Sequence, residues 1–439
     1  MILKDNTQYS SSDNFEEYLS FNNIANRKIS ELLDDKGNDL LVYPHSFSQC
    51  EDEMGSQYLF SLQTNWKDNK CTKAILETGN MAGFIGMNGQ SVSIHSRFSK
   101  NTEDFFLHYM LQKVLCVNVV NLSHGTTNER IFDFLLYLFP KLLKEALAQG
   151  VYNKEYQRNE YNDANVQGVV DINRHLKTNL PFNGRIAYRT REFSYDNHVT
   201  ELIRHTIDYI GKTSFGKMLL ENDAETHANV AQIISATPSY SRQEREKVIK
   251  SNSKIVNHPY YFRYTPLQRL CLRILRHEKI KYGAKDDKIH GVLFDVSYLW
   301  EEYLASILTK QGFKHPNNKQ GTGRIYLAKN KFPRYPDFYR EADCYIIDAK
   351  YKREINRDDI HQMITYMYRL RGKCGTFIQP SDRICQKESY ELLGYGIDNN
   401  AKLQTYFYPI SQTANDYKQF VADMIVLENM LKVQMQSGK

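Results

Sequence analysis

The sequence predicts a multidomain α+β protein: a β-rich N-terminal domain with helices, a mainly helical middle region, and a C-terminal α/β domain built on a mixed sheet. Three observations carry this. Residues 40–98 alternate apolar and polar side chains around glycines, the period of half-buried strands. Residues 198–282 repeat apolar positions at helical spacing. From 289 onward helical and strand patterns interleave, as a small sheet flanked by helices requires. At 439 residues the chain exceeds the usual single-domain size. The composition shifts place boundaries at 1–160, 161–285 and 286–439.

In the first segment "DLLVYPHSF", "QYLFSLQTN" and "GFIGMNGQSVSIHSRF" read as an antiparallel sheet. Asn88-Gly89 supplies the positive φ angles of a tight hairpin turn. "EDFFLHYMLQKVLCV" and "ERIFDFLLYLFPKLLKEALAQG" read as helices, the second kinked or divided at Pro140, which lacks a donor and clashes with the preceding turn. The polar run "NKEYQRNEYNDANVQG" reads as a linker or exposed loop. Further on, Arg185, Arg189 and Arg191 recur as on the solvated face of a strand, and Leu267, Leu270, Ile274 and Leu275 share one helix face, a packing stripe.

Composition limits the function classes. A formal charge of +6 favours a polyanionic partner without requiring one. The 31 tyrosines suit base stacking as well as ordinary core capping. The seven cysteines include no C-x-x-C pair and read as free thiols in a reducing compartment. The N-terminus lacks a signal-like apolar core, and no run approaches the roughly 18 apolar residues of a membrane span, so a cytoplasmic protein is expected. A phosphate-binding loop is also missing. In "DYIGKTSFG" the position five before Gly211 is Thr206, and Gly211 reads as a helix stop with Lys212 near the C-terminal dipole. No nucleotide is expected on this chain.

The chemistry concentrates in Pro336 to Lys352, "PDFYREADCYIIDAKYK". An apolar strand that runs into Asp348, Lys350 and Lys352 needs an ionic partner for those charges. Alternation places Ile346, Asp348, Lys350 and Lys352 on one face. A two-residue tip at Glu341-Ala342 pairs Arg340 with Asp343 and Asp337 with Ile346, which sets Asp337 on the Asp348 face and diagonal to it. Two carboxylates and an ammonium suit a hard divalent cation and a phosphodiester. Taken alone, D-x-K is equally an exposed hairpin with a surface ion pair worth about 0–1 kcal/mol. In "RDDIHQMITYMYRL" the stripe Ile360, Met363, Ile364 and Met367 leaves Gln362 and Tyr366 one turn apart on another face, toward solvent or toward the carboxylates. "LWEEYLASIL" adds Glu301 or Glu302, a water-mediated ligand or a surface acid.

The order Glu301, Asp337, "DAK" at 348–350 and Gln362 resembles the PD-(D/E)XK nuclease superfamily. Together, "FDVSYLWEEYL", "PDFY…IIDAKYK" and "HQMITYMY" resemble the McrC family, the nuclease subunits of McrBC modified-cytosine restriction systems. The likeness extends more loosely through "GVVDINRHLKTNLPFNGRIAYRTREFSYDN" and "GFIGMNGQSVSIHSRF", so it begins near residue 75; the first seventy residues lie outside it. It implies a restriction-endonuclease-like C-terminal domain with Asp337, Asp348, Lys350, Gln362 and Glu301 as catalytic residues and Asp337 and Asp348 as ligands of Mg²⁺ or Mn²⁺. It further implies double-stranded DNA with modified cytosine as substrate. A separate McrB-like AAA+ GTPase would be docked and stimulated by the N-terminal part. Two other readings stand beside it: an autonomous or differently partnered nuclease of repair or transposition, and a non-cutting adaptor that activates an NTPase.

Overall fold

The computed structural model describes all residues except 12–17, 20, 36–38, 45–55, 68–69, 88–89, 101–102, 116–126, 154, 222, 281–288, 317, 319–322, 383–385, 395–400 and 437–439. The chain forms two compact units, one of Met1–Phe134 with Gly283–Lys439 and one of Leu135–Tyr282. This division differs from boundaries drawn at 160 and 285. The reason is one strand, His290–Asp295, which belongs to the N-terminal sheet although it lies directly before the C-terminal helices and strands.

That sheet has the order Ile2–Lys4, Gln90–His95, Met81–Met87, His290–Asp295, Asp39–Tyr43. Its three inner strands are antiparallel, and the alternating pattern of residues 40–98 predicts that pairing for Met81–Met87 with Gln90–His95 but not the insertion of His290–Asp295; both outer strands pair parallel to their neighbours. Parallel partners come from distant segments, which local alternation cannot reveal. Met87 pairs with Gln90, so the expected Asn88-Gly89 turn falls on residues outside those described. Gly83 is required where it stands: its φ is 136°, and a Cβ there would lie 2.2 Å from the Val292 carbonyl oxygen. A second, antiparallel sheet of Gln8–Ser11, Lys70–Thr78 and Phe60–Lys67 shares a core with the first through Leu62, Leu76, Ile85, Ile94 and Leu293.

Among the described residues, Leu135–Tyr282 is mainly helical and holds one antiparallel sheet, in the order Glu155–Asp163, Ile186–Ser194, Val169–Val170. Its first strand is the segment expected as a linker. The described residues Asn159–Asp163 of that strand are exposed or half-buried while the central strand buries Ala187, Tyr188 and Thr190, so the outer strand needs no apolar face and its polar sequence gives no strand period. Arg189, half exposed, pairs with Glu160 at 3.3 Å and with Asp171. Pro140 does not divide its helix, Thr127–Leu147, which is continuous; Leu136 to Phe139 are wholly buried, and packing holds the backbone across the missing hydrogen bond. The stripe of Leu267, Leu270, Ile274 and Leu275 is buried in the helix Tyr264–Ile280. Gly211 caps the helix His198–Ile210 and is followed by another helix, Ser214–Leu220, so "DYIGKTSFG" joins two helices.

The C-terminal sheet has the order Phe338–Arg340, Tyr345–Ala349, Cys374–Ser381, Lys402–Pro409, Gln386–Glu391. An antiparallel hairpin feeds two parallel steps, and an antiparallel strand closes the far edge. The helix Arg357–Leu370 packs on this sheet through Met363 and Met367. Gly375 permits that approach, since a Cβ there would meet the Met367 sulfur at 2.6 Å.

The five-stranded N-terminal sheet is tied to the C-terminal sheet at the end of the strand Tyr345–Ala349. Ser96 Oγ and Tyr351 OH share a hydrogen bond of 2.6 Å, the Arg97 guanidinium lies 4.9 Å over the Tyr351 ring, and Arg353 donates to the Arg97 carbonyl at 3.2 Å. Arg97 in turn is paired with the fully buried Asp5 at 2.9 Å. Burial pushes the Asp5 carboxyl up to about 6, with Arg97 opposing. Removing only the cation strands that carboxylate. Arg97→Met should therefore lose about 3–5 kcal/mol in urea unfolding, while Asp5→Asn combined with Arg97→Met should lose distinctly less. Equal losses for the single and double variants would show that the pair is not coupled.

Candidate active site

The hairpin sets the carboxylates. Observed pairs are Phe338 with Ile347, Tyr339 with Ile346 and Arg340 with Tyr345, so the tip holds four residues, Glu341–Cys344, and the expected Arg340–Asp343 and Asp337–Ile346 pairing is corrected by two positions. The longer tip is stabilised by a two-pronged ion pair from Arg340 to Asp343, 2.9 and 2.6 Å, and by Cys344 in the left-handed region at φ 54°. A shift of two keeps every side chain on its face. Continued toward Asp337, the observed register brings it directly opposite Asp348, closer than the expected diagonal.

Asp348 is 1 % exposed, and its Oδ2 lies 2.7 Å from Lys350 Nζ. Asp337 is anchored across the hairpin by the Ala349 N–H, which donates to its Oδ2 at 2.9 Å. Lys350 also donates to Gln362 Oε1 at 3.0 Å; Gln362 Nε2 donates to Tyr366 OH at 2.6 Å, and Tyr366 donates to the Tyr335 carbonyl at 2.9 Å. Thus the Gln362–Tyr366 face turns toward Lys350 beside the carboxylates, with Gln362 half-buried and Tyr366 buried. The helix that presents it begins at a reciprocal cap, in which Asn356 Oδ1 accepts from the Asp359 N–H at 2.9 Å and Asp359 accepts from the Asn356 N–H at 2.8 Å. Asp359 also binds Lys352 and lies 3.7 Å from Lys350 Nζ.

Burial, the Glu301 charge and the Asp348 charge hold the Asp337 carboxyl well above the usual carboxylate range. Asp348 is raised by burial, with Lys350 and a hydrogen bond from Asp337 opposing. The two carboxyls are coupled, and burial raises both above the ordinary carboxylate range. For Lys350 burial favours the neutral amine, but Asp348, Asp337 and Asp359 together outweigh it and raise its pKa, so it stays charged at neutral pH.

Glu301 stands on the helix Val296–Leu308, whose start is fixed by Asp295 accepting from the Ser297 and Tyr298 N–H groups at 2.9 and 3.1 Å. It acts on Asp337 through its charge. Among the described residues, no three or more His, Cys, Asp or Glu side chains converge as a metal-ligand set, so the site offers a carboxylate pair. Sequence reasoning missed His315. Its Nδ1 bonds the Asp337 carbonyl at 2.9 Å, its Nε2 faces Glu302 at 3.5 Å and Glu301 at 3.9 Å, and its ring stacks on Phe338 at 4.6 Å. Burial opposes the charged imidazole, yet Glu302 and the Asp337 carbonyl raise its pKa overall. "GFKHPNN" carries no signal for this, because the contact depends on Lys314 bridging to Tyr339 beside the hairpin.

The family model of the McrBC 5-methylcytosine restriction system component matches residues 76–380. The chain belongs to this family. The match covers all five residues of the carboxylate–lysine–amide site, and it begins where the resemblance to the McrC family begins. Two solved structures are similar to this McrBC family member. One is a half-complex from a tetradecameric assembly of Thermococcus gammatolerans McrB AAA+ hexamers with bound McrC, at 12 % identity, 97 % of this chain, 99 % of that chain and a TM-score of 0.47. The other is the Thermococcus gammatolerans McrBC complex, at 11 % identity, 84 % of this chain, 96 % of that chain and a TM-score of 0.31. No curated protein matches the chain.

The raised Asp337 pKa makes the stability of the family member depend on pH. A carboxyl whose folded pKa lies above its unfolded value is ionised more easily in the unfolded chain, so stability is lost as pH rises from the ordinary carboxylate range toward the folded pKa. Asp337→Asn cannot ionise and still offers an oxygen to the Ala349 N–H. Its melting temperature should exceed that of the parent at pH 8, and the advantage should shrink near pH 4. A variant no more stable at either pH would mean that Asp337 is not held against ionisation.

Proposed function

We propose that the protein is a metal-dependent DNA endonuclease subunit of a McrBC-like, modification-dependent restriction complex, with a PD-(D/E)XK site in a restriction-endonuclease-like C-terminal sheet. The observation that carries this reading is the convergence of Asp337, Asp348, Lys350 and Gln362 at the end of one buried strand.

The donor set fits a hard divalent cation. Two carboxyls face each other, both are driven toward protonation by burial, and Lys350 offsets only one of their charges. Asp337 and Asp348 are the residues that would hold Mg²⁺ or Mn²⁺, with Glu301 reaching the ion through water. Such an ion supplies Lewis acidity toward a phosphodiester and a water of lowered pKa. Lys350 contributes a fixed positive charge against the charge that develops on the phosphate. Gln362 holds that ammonium in place, itself held by Tyr366. His315 fixes the Asp337 backbone and restrains Glu301 and Glu302.

The partner is a McrB-like AAA+ GTPase that this chain docks and stimulates, and the substrate is double-stranded DNA with modified cytosine. Family membership supports both. A docking surface is at hand in Leu135–Tyr282, where Val169, Ile172, Leu176, Leu180 and Phe182 are 51 % exposed or more, an apolar concentration that soluble surfaces rarely leave uncovered. No helix among the described residues is long and apolar enough to cross a membrane.

Co-expression with a McrB-like AAA+ protein, followed by assays on methylated and unmethylated DNA, tests the proposal. Cleavage should require Mg²⁺ or Mn²⁺ and stop in chelator. Lys350→Ala should lower the cleavage rate by roughly 10²–10³ while divalent-ion affinity is largely kept. Undiminished cutting in chelator, or loss of ion binding in Lys350→Ala, would overturn the assigned roles.

A further inference from the structure

Arg324, Lys329, Lys331 and Arg334 all lie within the twelve residues from Arg324 to Tyr335, and no acid interrupts them. These residues form a two-stranded ribbon, Ile325–Ala328 against Lys331–Arg334, with Ile325 opposite Arg334 and Ala328 opposite Lys331. The ribbon is no part of the C-terminal sheet. Its base is fixed: Ile325 packs against the core of Ile346, Met363 and Met367, and Arg369 donates to the Tyr326 carbonyl at 2.6 Å. At its exit, Tyr335 accepts from Tyr366, the residue that also holds Gln362. Two residues further on stands Asp337.

The tip is built outward. Lys329, Asn330, Lys331, Phe332 and Pro333 are exposed. Phe332 is 61 % exposed and sits at φ 58°, a region a bulky aromatic seldom occupies. Burial of Phe332 in the fold cannot be what holds it there.

We infer that the ribbon is a duplex-DNA contact that enters a groove beside the scissile phosphate, with its cations on backbone phosphates and Phe332 against the bases. A two-stranded ribbon has the width of the major groove, and uniform positive charge suits a polyanion. An exposed aromatic beside cations can stack on or wedge between bases. The rigid connection to Asp337, Gln362 and Tyr366 passes the position of the bound duplex directly to the carboxylates. This inference rests on the nuclease reading, because it presumes that DNA is the substrate.

The test uses the full chain in an Asp348→Asn background, so that no DNA is cut, and follows binding to a short fluorescent duplex over a salt series. The triple variant Lys329→Gln, Lys331→Gln, Arg334→Gln should flatten the slope of log K against log salt by roughly 2.7, about 0.9 for each phosphate left without its cation. Lys331→Gln alone should flatten it by about 0.9. Phe332→Ala should weaken binding with the slope unchanged. An unchanged slope in the triple variant overturns the inference, and so does an unchanged slope joined to lost stimulation of the AAA+ partner, which would make the ribbon a protein-binding element. Cleavage by the parent assembled with its AAA+ partner in Mg²⁺ separates the two levels: cutting with an unchanged slope removes the ribbon alone, whereas an assembled parent that neither binds nor cuts DNA removes the nuclease reading with it.

Discussion

Asp348 is buried at the end of a strand whose neighbours are apolar, and burial of a carboxylate must be compensated. Lys350 compensates it in part, at 2.7 Å on the same strand face. Asp337, brought opposite by the hairpin, adds a second acid where one is already costly, and burial raises the pKa of both. Fold stability alone does not call for this arrangement. Under the proposed nuclease reading it is a site prepared for a divalent cation, and the surrounding contacts maintain it. Ala349 restrains Asp337, Gln362 and Asp359 restrain Lys350, and His315 restrains the Asp337 backbone.

The same strand end is also where the N-terminal five-stranded sheet joins the C-terminal sheet. Tyr351, next to Lys350, is held by Ser96 and Arg97, and Arg97 is held by the buried Asp5. Tyr109 and Tyr303 both donate to the buried Glu428, at 2.6 and 3.2 Å, so the helices Phe105–Val114, Val296–Leu308 and Tyr417–Gln436 share one polar junction. N-terminal residues are therefore structural neighbours of the carboxylate site. The compact unit that holds the carboxylate site includes N-terminal residues and does not begin at residue 286.

Much of the site was legible because strand and helix periods fix faces before they fix distances. Asp337, Asp348 and Lys350 fall on one face for any even register, so the two-residue error in the hairpin moved Asp337 along its strand and left its side unchanged. Gln362 and Tyr366 were separable from the Met363–Met367 stripe by helical spacing alone. What stayed hidden depends on partners far away in sequence. The parallel pairing of His290–Asp295 with Asp39–Tyr43 has no local signature, and neither has the approach of His315 to Asp337. Glu155–Asp163 was hidden for another reason: its strand is paired along its length yet lacks the apolar face by which strands are recognised.

Calorimetric titration of Mg²⁺ or Mn²⁺ into the chain, repeated in buffers of different ionisation enthalpy, tests the central claim most directly. If Asp337 and Asp348 share a proton that the ion displaces, the observed heat will vary with buffer because binding releases protons at neutral pH, and affinity will rise with pH. Asp348→Asn should abolish both effects. Binding that is independent of buffer and pH, or equally strong in Asp348→Asn, would contradict the account.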